Sequence, residues 1–204
     1  MTSFDKLLHP AEDSATGWER TAATRFSNRP LSRESFFPGI FGADALKRGS
    51  LRLTFVPVGE DGVTYLAGAL GEFVEVAPIL GGRTSLVAFF EPAGDLTTLG
   101  EYDRYSWSLL QSVHDLDPTP RPASVPADTE HPEWEFRFAG MPMFVVVNTG
   151  NGEWMQYFLH DGNLFGNSGI TPGTGQLRAA ERRAGKGSRL ALPQPRRRAF
   201  RHRR

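Results

Sequence analysis

The chain has 204 residues, 39% of them hydrophobic and 23% charged, which suits one domain of ordinary globular make-up and is cramped for two. It contains no cysteine, so disulfides, thiolate metal sites, cysteine nucleophiles and cysteine-ligated haem are excluded. The formal charge is zero, yet residues 177–204 hold ten Arg and one Lys against the single Glu181, whereas residues 1–176 hold 12 basic against 22 acidic side chains.

A basic end of this kind can attract nucleic acid or anionic lipid, or it can be a solvated tail. No aromatic platform interleaves with those arginines, so nucleic acid is not the expected partner. No early segment joins a basic start to an apolar core, and no run approaches the roughly 18 apolar residues of a membrane span. The expectation is a cytoplasmic protein without membrane contact. The 15 Phe, 4 Trp and 4 Tyr supply bulk for a core or for the walls of a flat pocket, and composition does not choose between them.

In chain order, residues 1–33 are polar and mixed and read as an N-terminal arm with a short helix at best before Pro30. The stretch FFPGIFG at 36–42 reads as a stiff turn with glycines where the backbone bends or approaches another group closely. SLRLTFVP, 50–57, is short, apolar and bounded by Gly49 and Pro57, which predicts a buried strand. From Gly62, the positions Val63, Leu66, Ala67, Leu70, Phe73 and Val74 recur at helical spacing, and Pro78 with Gly81-Gly82 ends that helix. TSLVAFF, 84–90, is a second buried strand, so strand, helix and strand predict a crossover over a sheet.

Thr98 with Glu101 is a capping-box pattern opening a helix that carries Leu99, Tyr102, Leu109, Leu110 and Val113 on one face as far as His114. Four prolines in DPTPRPASVP stop it and demand an extended crossing. EWEFRFAGMPMFVVVN, 133–148, predicts an antiparallel hairpin joined at Gly140. Beyond Asn148 the pattern decays into Gly- and Asn-rich sequence with brief apolar islands, and a weak strand signal remains only at SRLAL, 188–192. The fold class expected is mixed α/β, one domain with a mixed sheet, packed helices and an antiparallel hairpin.

The order of FFPGIFGADALKRGSLRLTFV, GRTSLVAFF and WSLLQSVHDLDPTPRPASVPADTEHPEWEFRFAGMPMFVVVNT resembles the YqcI/YcgG family over about residues 33–149. On that basis the chain divides into an arm at 1–33, a family-like domain at 34–149, an insertion at 150–177 and a basic segment at 178–204. The ALPQPRRRAF stretch in that last segment resembles the family's closing strand. Gly39, Arg137 and Val147 stand where the family usually has cysteine.

What the resemblance implies is haem-dependent N-oxygenation of a guanidine or amine nitrogen on a small, cationic, arginine-like metabolite. Haem b is the implied cofactor, O2 the co-substrate, and an external donor or reductase the electron source, since the chain shows no dinucleotide-binding fingerprint. Without cysteine an axial ligand must be His, Tyr or Met. His114, at a helix end beside Trp107 and Leu110, is the first candidate for iron, with Asp115 or Asp117 orienting its second nitrogen; the other reading is a helix-end histidine meeting the dipole.

His131 stands where a loop meets a strand and is a candidate distal group or a simple loop hydrogen bonder. Arg52, Arg83 and Arg137 are candidate propionate partners or ordinary surface arginines. Glu135 is the carboxylate placed to hold a cationic substrate, unless it faces water. Phe37 and Phe41 are candidate pocket walls, or core phenylalanines of a tight turn. A second functional reading is a noncatalytic relative that binds haem or a small ligand without turnover.

Overall fold

Two six-residue strands form the spine of the molecule, β1 at Leu51–Val56 and β2 at Ser85–Phe90, pairing in parallel from Leu51↔Ser85 to Val56↔Phe90. β2 is buried along its whole length, and the apolar run at 86–90 suits a strand covered on both faces. The structure is a computed structural model and describes residues 6–10, 17–27, 39–59, 61–81, 84–91, 96, 98–150 and 154–161. Residues 37 and 83, the weak strand signal at 188–192 and the basic segment at 178–204 lie outside that set.

The connection between β1 and β2 is α3, Asp61–Val76, which buries Leu66, Ala69, Leu70, Phe73 and Val76 against the sheet. The helix starts tightly against the strand it follows: a Cβ on Gly62 would lie 2.5 Å from the Pro57 carbonyl oxygen, so only glycine fits there. Asp61 in the first turn complements the positive end of the helix. α4, Leu99–Asp115, follows β2 and packs beside α3. Its capping box is complete, with the Glu101 N–H donating to Thr98 Oγ1 at 3.3 Å and the Thr98 N–H donating to Glu101 Oε2 at 2.8 Å.

The expected hairpin consists of β3, Phe136–Phe138, and β4, Met141–Gly150, paired from Phe136↔Met143 to Phe138↔Met141. Ala139 and Gly140 have φ of 46° and 80°, the paired positive values that let a two-residue turn follow the strands' twist. β5, Trp154–Asp161, then inserts between β2 and β4, antiparallel to both, so the strand order is β1-β2-β5-β4-β3. This strand lies in the stretch that the sequence sets apart as an insertion. Its backbone supplies the ladder that joins the parallel pair to the hairpin.

Alternation along the strands builds two cores. Leu86, Ala88 and Phe90 of β2, with Phe136, Phe138 and Met143, pack under α3 and α4. Val87 and Phe89, with Leu51, Leu53 and Phe55 of β1, face the other way toward α1, Gly17–Ser27, and α2, Gly39–Arg48. There, Phe89 stacks on Phe55 at 5.4 Å and meets Phe26 edge-on at 5.5 Å, and Trp18 meets Phe55 edge-on at 5.6 Å.

The N-terminal arm therefore contributes to this packing. α1 buries Ala22 and Phe26, and Leu8 bridges the outer edge of β1 through two 2.8 Å hydrogen bonds with Leu53. The Lys6 backbone N–H also donates to Glu72 of α3.

The turn expected at 36–42 is corrected in part: the chain is already helical from Gly39. Ala43, Ala45, Leu46, Lys47 and Arg48 are strong helix formers, and their summed preference outweighs the flanking glycines. The helix ends at Gly49, φ 72°, where the Gly49 N–H donates to the Leu46 carbonyl and the Ser50 N–H to the Ala45 carbonyl, a Schellman closure. Among the described residues no helix is long and apolar enough to cross a membrane.

Candidate functional site

The C-terminal end of α4, the loop at 116–135 and the β3–β4 turn meet at one end of the molecule. The link is Asp117, whose Oδ1 accepts the Thr119 N–H at 2.8 Å and the Ala139 N–H at 2.9 Å. One carboxylate oxygen thus holds the end of α4 to the hairpin turn across 22 residues of sequence. Ala139 is the non-glycine residue of that turn, and the bond fixes its left-handed backbone.

His114 lies in the last turn of α4 on the face that also presents Trp107 and Leu110, as its spacing implies. Its ring is half-buried, and its Nδ1 is shielded from solvent without a hydrogen-bond partner. The two carboxylates expected to orient it are engaged elsewhere: Asp115 accepts from the Gln111 side chain at 2.8 Å, and Asp117 holds the turn. A shielded imidazole nitrogen without a partner is an unusual feature that asks for a ligand.

Trp134 packs against Trp107 with ring centroids 5.7 Å apart, and its indole N–H is likewise shielded and without a partner. On α4 itself, burial pushes the Tyr105 phenol above its ordinary value of 10.0, so it stays protonated at neutral pH.

His131 is exposed, and its Nδ1 accepts the Glu133 N–H at 3.1 Å. A ring nitrogen that accepts carries no proton, so the neutral ring holds its proton on Nε2. The Trp134 backbone N–H donates to the His131 carbonyl at 3.0 Å, and the His131 backbone N–H donates to that of Asp128 at 3.1 Å. His131 organises the turn leading into β3.

Glu135 and Arg137 are brought together. Arg137 Nη1 donates to Glu135 Oε1, and Arg137 Nη2 donates to the Gly140 carbonyl, while Arg137 Nε is shielded and without a partner. Phe136 and Phe138 belong to the core under α3 and α4, so alternation turns Arg137 to the opposite face of the sheet. Its cross-strand neighbour Pro142 stands at a non-hydrogen-bonded pair, where a missing N–H leaves the β3–β4 ladder intact.

Arg52 does not join this group. It sits on β1 at the far edge of the sheet, and its Nη1 folds back onto the carbonyls of Gly49 at 3.0 Å and Leu51 at 2.8 Å. Four strand spacings, about 19 Å, separate β1 from β3. Arg52 and Arg137 also occupy opposite faces, so they cannot clasp the two propionates of one macrocycle between them. Phe37 and Arg83 lie outside the described residues, and Phe41 is described only as backbone within α2.

Sequence reasoning missed the Asp117 clamp and the shielded indole of Trp134. The clamp has no local signal, because its partner lies 22 residues away. Glu135 and Arg137 are opposite charges two residues apart in a strand-forming stretch, but the sequence assigns them separate roles and their pairing is seen only in the structure. Among the described residues no group of three or more His, Asp or Glu is placed to hold a metal ion by side chains alone. A haem iron asks less of the protein, one or two axial donors, and the His114 ring, with its Nδ1 unpartnered, is a residue at this end of the molecule that could supply one.

Residues 28–152 match the YqcI/YcgG family. Among curated proteins, the chain is similar to a Streptomyces lavendulae protein named "Putative N(omega)-hydroxy-L-arginine synthase DcsA", with 27% identity over 143 residues, 67% of this chain and 53% of that one. It is also similar to two Bacillus subtilis (strain 168) proteins. YcgG is 28% identical over 72% of this chain and 60% of its own length, and YqcI is 27% identical over 70% and 58%. The chain thus spans little more than half the length of the relatives it matches. No solved structure matches it. With the match covering more than half of its residues, from before α2 to the end of β4, the chain belongs to the YqcI/YcgG family.

Proposed function

We propose that this chain is a haem-dependent N-oxygenase-like protein acting on a guanidine or amine nitrogen of a small arginine-like metabolite. The observation that carries the reading is the similarity to DcsA, whose name reads "Putative N(omega)-hydroxy-L-arginine synthase", beside a family match that includes α4 and the β3–β4 hairpin. The structural support is the shielded, partnerless Nδ1 of His114 at the end of α4.

In this reading His114 is the residue that would hold haem iron, with Trp107 and Trp134 supplying aromatic surface beside it. Bound haem would supply the activation of O2, with electrons from an external donor. The protein's share is positioning. Asp117 fixes the hairpin turn that carries Gly140 against the end of α4. Glu135 supplies the negative charge that a cationic substrate requires, and the Gly140 carbonyl beside it supplies an acceptor for a guanidinium N–H. His131, with Nδ1 held by the Glu133 N–H, offers its Nε2 proton from the rim.

A second reading, a relative that binds haem or a small ligand without turnover, is favoured by one observation: Glu135 already pairs with a guanidinium of the protein itself. The test is an absorption spectrum of the full chain, expressed with haem supplied, in ferric, ferrous and CO-bound states, followed by product analysis with L-arginine. A stoichiometric Soret band that shifts or disappears in His114→Ala, together with hydroxylated product, is the expected result. A folded protein that retains no haem overturns the oxygenase reading, and haem retention without product turns it to the second.

A further inference from the structure

We infer that Glu135 and the Gly140 carbonyl form a guanidinium-binding site that Arg137 occupies from within the chain, so that Arg137 acts as a built-in competitor setting the affinity for arginine-like molecules. The inference deepens the proposed function and rests on its assignment of a guanidine substrate.

The geometry of the pair carries it. Arg137 presents one guanidinium nitrogen to Glu135 and another to Gly140, and its third, Nε, is shielded from water with nothing to bond. A guanidinium and a carboxylate pair best through two parallel N–H bonds. Arg137 and Glu135 are two residues apart on one extended segment, so the tether limits how the two groups can face each other. The acceptors are thus complete and the occupant imperfectly satisfied. A free guanidinium, without that tether, can align both of its N–H bonds with the carboxylate and still reach the carbonyl.

Two further features suit exchange of one guanidinium for another. The Glu135 and Arg137 side chains each retain 22% of their exposure, so a solute can reach them. The acceptors are also held in place, because the turn that carries Gly140 is pinned through Ala139 to Asp117. Removing Arg137 leaves Glu135 a half-screened carboxylate without its cation, and a cationic ligand then gains what Arg137 gave up.

The experiment is titration calorimetry of the haem-free 204-residue chain with L-arginine, comparing wild type, Arg137→Ala, Arg137→Gln and the double variant Glu135→Gln/Arg137→Ala. Far-ultraviolet circular dichroism verifies folding, and Arg137→Gln provides a second variant of similar length should the alanine variant not fold. The expected result is affinity for L-arginine at least tenfold higher in Arg137→Ala or Arg137→Gln than in wild type, with the gain absent from the double variant. Equal affinity in wild type and both single variants overturns the inference, as does a gain that survives loss of the Glu135 charge. Because the titration needs neither haem nor turnover, it separates the two claims. An arginine gain in a protein that never takes up haem supports this site while the oxygenase reading falls, and hydroxylation of arginine without any gain does the reverse.

Discussion

At the scale of single residues, Asp117 does more for the arrangement than any histidine. Its Oδ1 accepts two backbone N–H groups, one of them from a residue in a left-handed conformation. Hydrogen bonds to a charged acceptor contribute more than neutral ones, so Asp117→Ala should lower stability by about 2 kcal/mol in urea unfolding. Asp117→Asn keeps an acceptor oxygen and should recover roughly half of that. The site-specific signature is amide exchange at Ala139, which should accelerate in the alanine variant; an unchanged rate would mean that the turn holds its shape without the clamp. The sequence pointed to Asp117 as an orienter of His114, and its actual partners could not be read because both are main-chain groups, one placed only by tertiary folding. Glu135 and Arg137 were each singled out for a different role, and what sequence left open was that they meet.

At the scale of elements, the pattern was more informative. The capping box at Thr98 and Glu101, the stripe of α3 and the turn at Gly140 are local signals, and each appears in the structure where its chemistry places it. α2 was the exception, because glycines and a proline at its entrance spoke louder than the helix formers that follow. Glycine in α3 gives a test of how far local preference is overruled by packing. A methyl group added at Gly71 would meet nothing within 4 Å, so Gly71→Ala should stabilise the protein by about 0.5–1 kcal/mol through the helix preference alone. Gly62 lies in the same helix, but its new Cβ would stand 2.5 Å from the Pro57 carbonyl oxygen, which is backbone and cannot swing aside. Gly62→Ala should therefore destabilise by about 1–3 kcal/mol. Thermal unfolding of the two variants should move in opposite directions; a shift of the same sign in both would show that the β1–α3 junction yields.

At the scale of the whole molecule, the least legible strand holds a central position. Trp154–Asp161 contains the aromatic residues that favour strands, and Asn151-Gly152 just before it is a strong hairpin signal. The family resemblance stops near residue 149 and the family match ends at residue 152, so neither reaches this strand. Yet β5 pairs with β2 from Ser85↔His160 to Phe89↔Gln156 and with β4 from Met143↔Asp161 to Gly150↔Trp154. Without it, β2 loses its antiparallel neighbour and the hairpin loses its ladder to the rest of the sheet, leaving two exposed strand edges in place of a shared one. A chain ending at Thr149 should accordingly fail to unfold cooperatively and should associate, whereas one ending at Asp161 keeps all five strands. Urea unfolding followed by tryptophan fluorescence, with sedimentation to detect association, distinguishes the two. Should the shorter chain unfold in a single sharp transition as a monomer, the first four strands would form a self-sufficient unit and β5 an addition to it. Failure of the shorter chain alone would make β5 the element that unites the parallel pair with the hairpin, and through the hairpin with the end of α4 where His114 lies.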